Sequence, residues 1–192
     1  MTDLTQKGFS LIELMIAILI STLLILGVTE LFSRTSAADR DNTELARMQE
    51  SGRLALEVIG QDARRAGYQG CTLSNTETPF PGGGTLPNDA ASSTAANTVT
   101  FRYATPGSGC GTTALNFEPA IVYTSGQDRI IRRNNDPILD NATMAVAFIP
   151  AGDINLAKAI NIQVTISDSR QGNDRLNDRV FSATYELRNR MQ

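Results

Sequence analysis

The sequence predicts an α+β fold in which one long N-terminal helix packs against a mostly antiparallel β-sheet. Three observations predict it. Glycines are the only helix breakers between residues 9 and 66, where a continuous apolar run gives way to an amphipathic helical period. The remainder alternates short β-branched and aromatic segments with turn-rich segments. A chain of 192 residues is long enough for one ordinary domain plus an anchoring segment.

The composition excludes several classes of function. The net charge is −3, from 17 basic and 20 acidic residues, which argues against a broad nucleic-acid-binding surface. The chain has no histidine, so Ser-His-Asp and Cys-His catalysis are impossible and the commonest zinc ligand is missing. We therefore expect no catalytic residue, no metal site and no cofactor, and no nucleic acid as a partner.

The first predicted element combines a polar leader, residues 1–8, with an apolar run over residues 9–32. As a helix, these roughly 24 residues span about 36 Å, enough to cross a bilayer core with modest tilt. A secretory signal peptide fits poorly, because its positive region precedes the apolar run and a small-residue cleavage site follows it. A plain membrane anchor is the other alternative. It leaves Glu13 unexplained, since a carboxylate in lipid needs a partner or a function.

The junction from Gly8 to Leu14, GFSLIEL, resembles the class III signal of type IV pilins and pseudopilins. The resemblance implies that a prepilin peptidase cleaves after Gly8 and methylates the new N terminus at Phe9. It implies an inner-membrane protein with its globular domain in the periplasm, later part of an extracellular pilus. It also implies that Glu13 of one subunit pairs with the N-terminal amine of a neighbour and fixes their axial register. Snorkelling of Glu13 to the headgroups is the alternative.

Residues 33–67 are predicted to continue the helix as an amphipathic half. Apolar and small residues recur at spacings of three and four and form one stripe. Gly52 and Gly60 each cost the helix about 1 kcal/mol relative to alanine, but small residues let a sheet approach closely. Gly67 is a natural C-cap. The stripe comprises Leu45, Met48, Gly52, Ala55, Ile59, Ala63 and Ala66.

The residues at the end of this helix point to a narrower group within this family. They are similar to those of the PilW-type minor pilins of Gram-negative type IV pili, whose pattern is Gly-Arg-x-Ala followed by Asp-x-Arg-x-Ala-Gly-Tyr-x-Gly-Cys. The segments 129–134 and 188–190 resemble the same group. The matching residues are Gly52, Arg53, Ala55, Asp62, Arg64, Ala66, Gly67, Tyr68, Gly70 and Cys71.

The two cysteines, Cys71 and Cys110, are expected to form one disulfide, because an isolated pair in an exported domain most often does so. The bridge would close a loop of about 40 residues and contribute roughly 4 kcal/mol on the chain-entropy account. Two unpaired small apolar residues are the alternative.

Residues 68–192 are predicted to form the globular β-sheet domain. Its first part, 72–97, is rich in Pro, Gly, Ser, Thr and Asn and predicts an exposed variable loop, either a partner-contacting surface or a solvated linker. Alternation places the odd positions 181–187 inward on the last strand and the even positions 160–166 inward on the strand before it. The predicted strands are 98–103, 120–124, 129–132, 144–149, 160–167 and 180–187.

Two acidic clusters and one basic edge are candidate binding sites. Asp168, Asp174 and Asp178 could bind calcium through oxygen, but their spacing is not that of an EF-hand and nearby arginines compete. Both acidic clusters are more often polar turns, and the basic edge is usually a solvated strand face. The second acidic cluster is Asp128, Asn134, Asn135, Asp136 and Asp140, and the basic edge is Arg129, Arg132 and Arg133.

The resemblance implies a minor pilin that primes type IV pilus assembly and sits in the tip complex, supporting twitching motility and adhesion. Its implied partners are other minor pilins, the major pilin and a tip adhesin, with prepilin peptidase as the processing enzyme. The alternatives are a minor pseudopilin of a type II secretion system and, less favoured by the mixed charge, a DNA-binding competence pilin.

Overall fold

The computed structural model describes residues 8–71, 78–81, 83–86, 89–111, 114–151, 157–170 and 175–190. The chain divides into two compact units, Met1–Leu45 and Ala46–Gln192. The predicted α+β class is confirmed, because one long helix is followed by antiparallel sheets.

The helix, α1, extends over Leu11–Arg65. Its N-terminal part is long and apolar enough to cross a bilayer, and the large apolar side chains between Phe9 and Phe32 are exposed. The hydroxyls of Thr22 and Thr29 donate to the backbone oxygens of Leu19 and Ile25, at 2.8 and 2.7 Å. These polar groups are therefore satisfied within the helix, as a membrane span requires.

The strands of the described residues form three antiparallel sheets. A two-stranded ribbon pairs β1 with β2, a larger sheet has the order β3-β4-β5-β6-β7, and a three-stranded sheet has the order β10-β9-β8. A short 3₁₀ turn, Arg188–Arg190, follows the last strand. The strands are β1 (Thr78–Pro79), β2 (Thr85–Leu86), β3 (Ala91–Ala95), β4 (Thr98–Phe101), β5 (Ile121–Ser125), β6 (Ile131–Arg133), β7 (Asp136–Leu139), β8 (Ala142–Ile149), β9 (Ala159–Ile166) and β10 (Arg179–Glu186).

The predicted helix stripe faces the core of the second unit. Two glycines of α1 permit close approach of the three-stranded sheet: Gly52, on the stripe, lies against the ring of Phe181, and Gly60, outside the predicted stripe, lies against the ring of Tyr185. The Tyr185 hydroxyl also donates to the Leu56 backbone oxygen at 2.7 Å. Among the stripe and the two final strands, the buried residues are Met48, Gly52, Ala55, Ile59, Ala63, Ala66, Ile160, Ile162, Val164, Ile166 and Leu187.

The C-terminal end of α1 is capped as predicted. Gly67 has a positive φ of 82°, the left-handed conformation that glycine adopts without strain. Its N–H donates to the Arg102 oxygen at 2.9 Å. The side-chain amide of Asn189, in the 3₁₀ turn after β10, donates to the Ala66 oxygen at 3.0 Å and to the oxygen of Arg65, the last helical residue, at 3.4 Å.

The prediction of an exposed loop over 72–97 was wrong for most of its described residues. Three strands, β1 to β3, lie in it, and Phe80 and Leu86 are buried. The reason is tertiary packing: the Phe80 ring meets the Phe117 ring edge-on at 5.1 Å, and the Asp89 carboxylate accepts the Thr85 N–H at 2.7 Å. Residues 72–77, 82 and 87–88 lie outside the described residues.

The strand β7 was not predicted, because the residues around it were interpreted as a polar cluster. Asn134 and Asn135 both have positive φ, 52° and 72°, as a two-residue hairpin turn requires. The Asn134 side-chain oxygen accepts the Val122 N–H at 2.7 Å. These asparagines therefore form a turn between β6 and β7.

Replacing Gly60 by alanine is expected to destabilise the domain by about 1–3 kcal/mol, although alanine normally favours a helix by about 1 kcal/mol. A Cβ there would lie 2.5 Å from Tyr185 Cζ. Thermal unfolding of the full-length protein in detergent, followed by near-UV circular dichroism, measures the effect. Gly27→Ala is the control, because no atom lies within 4 Å of its added Cβ. A Gly60→Ala protein as stable as wild type would contradict the close contact.

Candidate assembly site

The N terminus of α1 is capped by Glu13. Because the helix begins at Leu11, Ser10 is the N-cap residue and Glu13 is the third helical residue. The Ser10 N–H donates to Glu13 Oε2 at 3.0 Å, which is one half of a capping box. The negative carboxylate also lies at the positive end of the helix dipole. The spacing Ser-x-x-Glu was the sequence signal for this role, and sequence reasoning missed it.

The predicted cleavage point lies just outside the helix. Gly8, Phe9 and Ser10 have no regular secondary structure, and Phe9 is 92% exposed. No atom lies within 4 Å of a Cβ built at Gly8. The bond between Gly8 and Phe9 is therefore sterically open, while the rest of the leader lies outside the described residues.

The disulfide joins Cys71 to Cys110, with their Cα atoms 4.9 Å apart and 39 positions apart in sequence. The Cys71 N–H also donates to the Ser108 oxygen at 3.1 Å. Gly70, with a φ of 65°, lies so close to the Ser108 oxygen that a Cβ would overlap it. The bridge thus fixes the chain that leaves the helix against the 105–111 loop.

A buried ionic cluster holds the larger sheet on the helix, and sequence reasoning missed it as a unit. Asp62 is 5% exposed and occupies the face of α1 that also buries Ile59 and Ala63. Its carboxylate accepts the Tyr123 hydroxyl at 2.6 Å and the Tyr103 hydroxyl at 3.0 Å. The signal available in the sequence was a lone carboxylate on the apolar face of an amphipathic helix.

Arg133 completes this cluster from β6. Its Nε donates to Asp62 Oδ2 and to the Tyr123 hydroxyl, both at 3.1 Å. Burial would lower the pKa of Arg133, but its hydrogen bond and attraction to Asp62 raise it above the ordinary value. Burial first, and then the Asp62 charge and hydrogen bond, raise the pKa values of Tyr103 and Tyr123. The cluster therefore joins the Asp62 carboxylate to two neutral phenols and the Arg133 guanidinium, and Arg65 adds a side-chain hydrogen bond to Tyr103.

The acidic loops that were weighed for calcium are engaged by arginines. Asp168 is buried, pairs with Arg170 at 2.8 Å and accepts the Leu176 N–H at 2.7 Å. The hydrogen bonds from Arg170 hold the pKa of Asp168 well below its usual range. Asp178 pairs with Arg175 at 2.7 Å, and Asp174 lies outside the described residues. This pairing favours the interpretation of the loop as a polar turn.

The predicted basic edge is largely paired with acids or polar groups. Arg132 lies 2.6 Å from Asp128, Arg133 contacts Asp62, and Arg129 donates to the Ser167 hydroxyl at 3.0 Å. Within the described ranges, no group of three or more His, Cys, Asp and Glu side chains is placed to hold a metal ion.

Comparison with known proteins identifies the N-terminal part of the chain. Residues 4–29 match the family described as the prokaryotic N-terminal methylation motif. The motif indicates a type IV pilin or pseudopilin, a class of structural proteins that prepilin peptidase processes and that assemble with other pilins. The match covers the cleavage junction and most of the apolar run, not the sheet domain. No curated protein and no solved structure matches the chain.

Three of the four tyrosines should titrate above pH 10, the midpoint of an unperturbed tyrosine. The unfolded chain loses these protons first, so the stability they contribute is complete below pH 10 and declines as the pH rises above it. Absorbance at 295 nm of the full-length protein, with and without urea, measures the titration.

The variant Asp62→Asn tests whether the charge of Asp62 contributes to the raised pKa of Tyr123. Removing the charge should make Tyr123 titrate earlier and should destabilise the domain by about 3 kcal/mol, near the low end for a broken buried pair, because Arg133 is partly exposed to water. Identical titration curves for folded and urea-unfolded wild type would contradict the cluster.

Proposed function

We propose that this chain is a minor pilin of the PilW type. It is cleaved between Gly8 and Phe9, methylated at Phe9, and held in the inner membrane with its sheet domain in the periplasm. It then enters a type IV pilus, primes assembly together with other minor pilins, the major pilin and a tip adhesin, and supports twitching motility and adhesion. The observation that carries the proposal is the methylation motif at residues 4–29.

The geometry of the helix end supports the narrower, PilW-type assignment. Five residues of the resembling pattern have a structural role in this fold. Gly52 admits the Phe181 ring, Asp62 holds the larger sheet, and Gly67 ends the helix. Gly70 and Cys71 tie the following chain to the 105–111 loop. A pattern whose members build one continuous packing surface is more specific than an amphipathic helix with a glycine stop.

Deletion of the gene tests the proposal. We expect the loss or strong reduction of surface pili and of twitching, with both restored by the full-length gene, and we expect the mature protein in sheared pilus preparations. Electron microscopy, a twitching assay and mass spectrometry measure these outcomes. Normal piliation combined with failed protein secretion would contradict the proposal and favour a pseudopilin of a type II secretion system.

Two substitutions of Glu13 separate its capping role from charge pairing with a neighbour. Glutamine can still accept the Ser10 N–H in a capping box, but it has no charge to pair with the amine at Phe9. Both Glu13→Gln and Glu13→Ala should be cleaved and methylated normally, and both should enter pili at least about tenfold less than wild type, a loss equivalent to about 1.4 kcal/mol.

The matched control for this experiment is Ser10→Ala, which removes a neighbouring hydroxyl but keeps both the carboxylate and the backbone N–H that it accepts. It should enter pili nearly as well as wild type. Mass spectrometry reports processing, and quantitative blotting of purified pili reports incorporation. Wild-type incorporation of Glu13→Gln would remove the charge-pairing role and leave the cap as the function of the residue.

A further inference from the structure

The edges of the larger sheet are protected against pairing with another strand. Proteins protect edges with proline, bulges, short strands or covering segments. The edge strand β7 has four residues and contains Pro137, and its register with β6 shifts beside Ile131. The other edge strand, β3, has a register shift between Ser92 and Ala95.

One edge of the three-stranded sheet is also covered. Three N–H groups of β8 that point away from β9 bond to the larger sheet or its turns. Ala142 donates to the Arg129 oxygen at 2.8 Å, and Val146 donates to the Ala96 oxygen at 2.7 Å. Between them, Met144 donates to the Ser125 hydroxyl at 2.9 Å. The outward N–H groups of these alternate residues of β8 are therefore already hydrogen-bonded within the domain.

The opposite edge, β10, is organised differently. In an antiparallel ladder, alternate residues exchange backbone bonds with a given neighbour. Leu187 donates to the Lys158 oxygen at 2.8 Å, in register with the β9–β10 pairing. This bond shows which alternate residues of β10 direct their backbone groups toward β9. The odd-numbered residues of β10 therefore face β9. The N–H and C=O groups of Val180, Ser182, Thr184 and Glu186 point away from the sheet, and no described residue bonds them.

The strand β10 lacks the protective devices of the other edges. It has eight residues, RVFSATYE, with no proline, glycine or lysine, and its pairing with β9 has no register shift. Its charges lie only at its two ends, Arg179 and Glu186. Val180 is 62% exposed. Because the edges of the larger sheet and the β8 edge are protected, the free edge of β10 stands out as one that another strand can extend.

We propose that β10 pairs with an extended strand of a different pilin-class subunit, which adds a fourth strand to the three-stranded sheet. The proposal rests on the proposed function, because it requires neighbouring subunits. The chemistry of the edge determines the occupant, since donors and acceptors that recur every second residue over about 20 Å match an extended backbone. Uncharged side chains are expected opposite Val180, Ser182 and Thr184.

Symmetry argues against a second copy of β10 as the partner. Two identical antiparallel edges form a closed two-fold interface, whereas a filament grows through heterologous contacts that leave the next surface open. The inner face of β10 is held on α1 through Phe181 and Tyr185, so the added strand would lie beside the helix on a rigid template.

Photo-crosslinking in cells that make pili tests the pairing, with the full chain carrying a photoreactive residue at Ser182 or at Gln163. These two positions are cross-strand partners on one face, but Ser182 is at the edge and Gln163 is on the central strand. We expect Ser182 to capture a strand peptide of another chain bearing the methylation motif, identified by mass spectrometry, at least about tenfold more than Gln163 does. Equal capture from both positions, no capture, or capture of a second copy's β10 would overturn the proposal.

The variant Ser182→Pro removes the outward N–H and leaves the β9 ladder intact, and Ser182→Ala is its control. We expect the proline variant to enter pili at least about tenfold less than the alanine variant, with an intact disulfide and wild-type protease resistance. Proline-variant incorporation at the wild-type level would overturn the pairing while leaving the proposed function intact. Absence of the wild-type protein from pili would instead overturn the proposed function.

Discussion

The buried carboxylate of Asp62 is the constraint on which the position of the larger sheet depends. A buried charge costs several kcal/mol unless its lone pairs are satisfied, and here the donors come from Tyr103, Tyr123 and Arg133. These residues lie after β4, on β5 and on β6, so three neighbouring segments must stand in the correct register before the carboxylate is satisfied. An apolar side chain at this position would also be buried, but it would not require hydrogen-bond partners at fixed positions.

The same helix binds the three-stranded sheet through other residues and by a different chemistry. Gly52 and Gly60 remove side chains where Phe181 and Tyr185 approach, and the Tyr185 hydroxyl bonds the Leu56 carbonyl. The larger sheet is thus held mainly by a buried charge and its hydrogen bonds. The three-stranded sheet is held mainly by the close packing of aromatic rings on glycines. Because the aromatic side chains of β10 are committed to the helix, the alternate residues of that strand are necessarily presented outward, which links the packing of the core to the exposed edge.

Local signals in the sequence predicted the helix, its cap and the long strands, because periodicity and a left-handed glycine act over a few residues. They failed for β1 to β3, where the burial of Phe80 depends on Phe117, a residue distant in sequence. They also failed for the cluster at Asp62, whose partners lie 41, 61 and 71 positions away. Spacing along the chain does not encode such contacts. The interpretation of Asn134 and Asn135 as part of a polar turn was confirmed, but the strand that follows this turn was not predicted.

The cap formed by Glu13 is compatible with the proposed role of this residue in assembly. A carboxylate can accept about four hydrogen bonds, and the Ser10 N–H uses one site on Oε2. The cap therefore orients the side chain toward the start of the helix and leaves acceptor capacity for an amine. Because an ordered acceptor loses less side-chain entropy on binding, the intrachain bond would lower the cost of the proposed bond between subunits. The chemistry that stabilises the single helix is thus also the chemistry that would position it beside its neighbour.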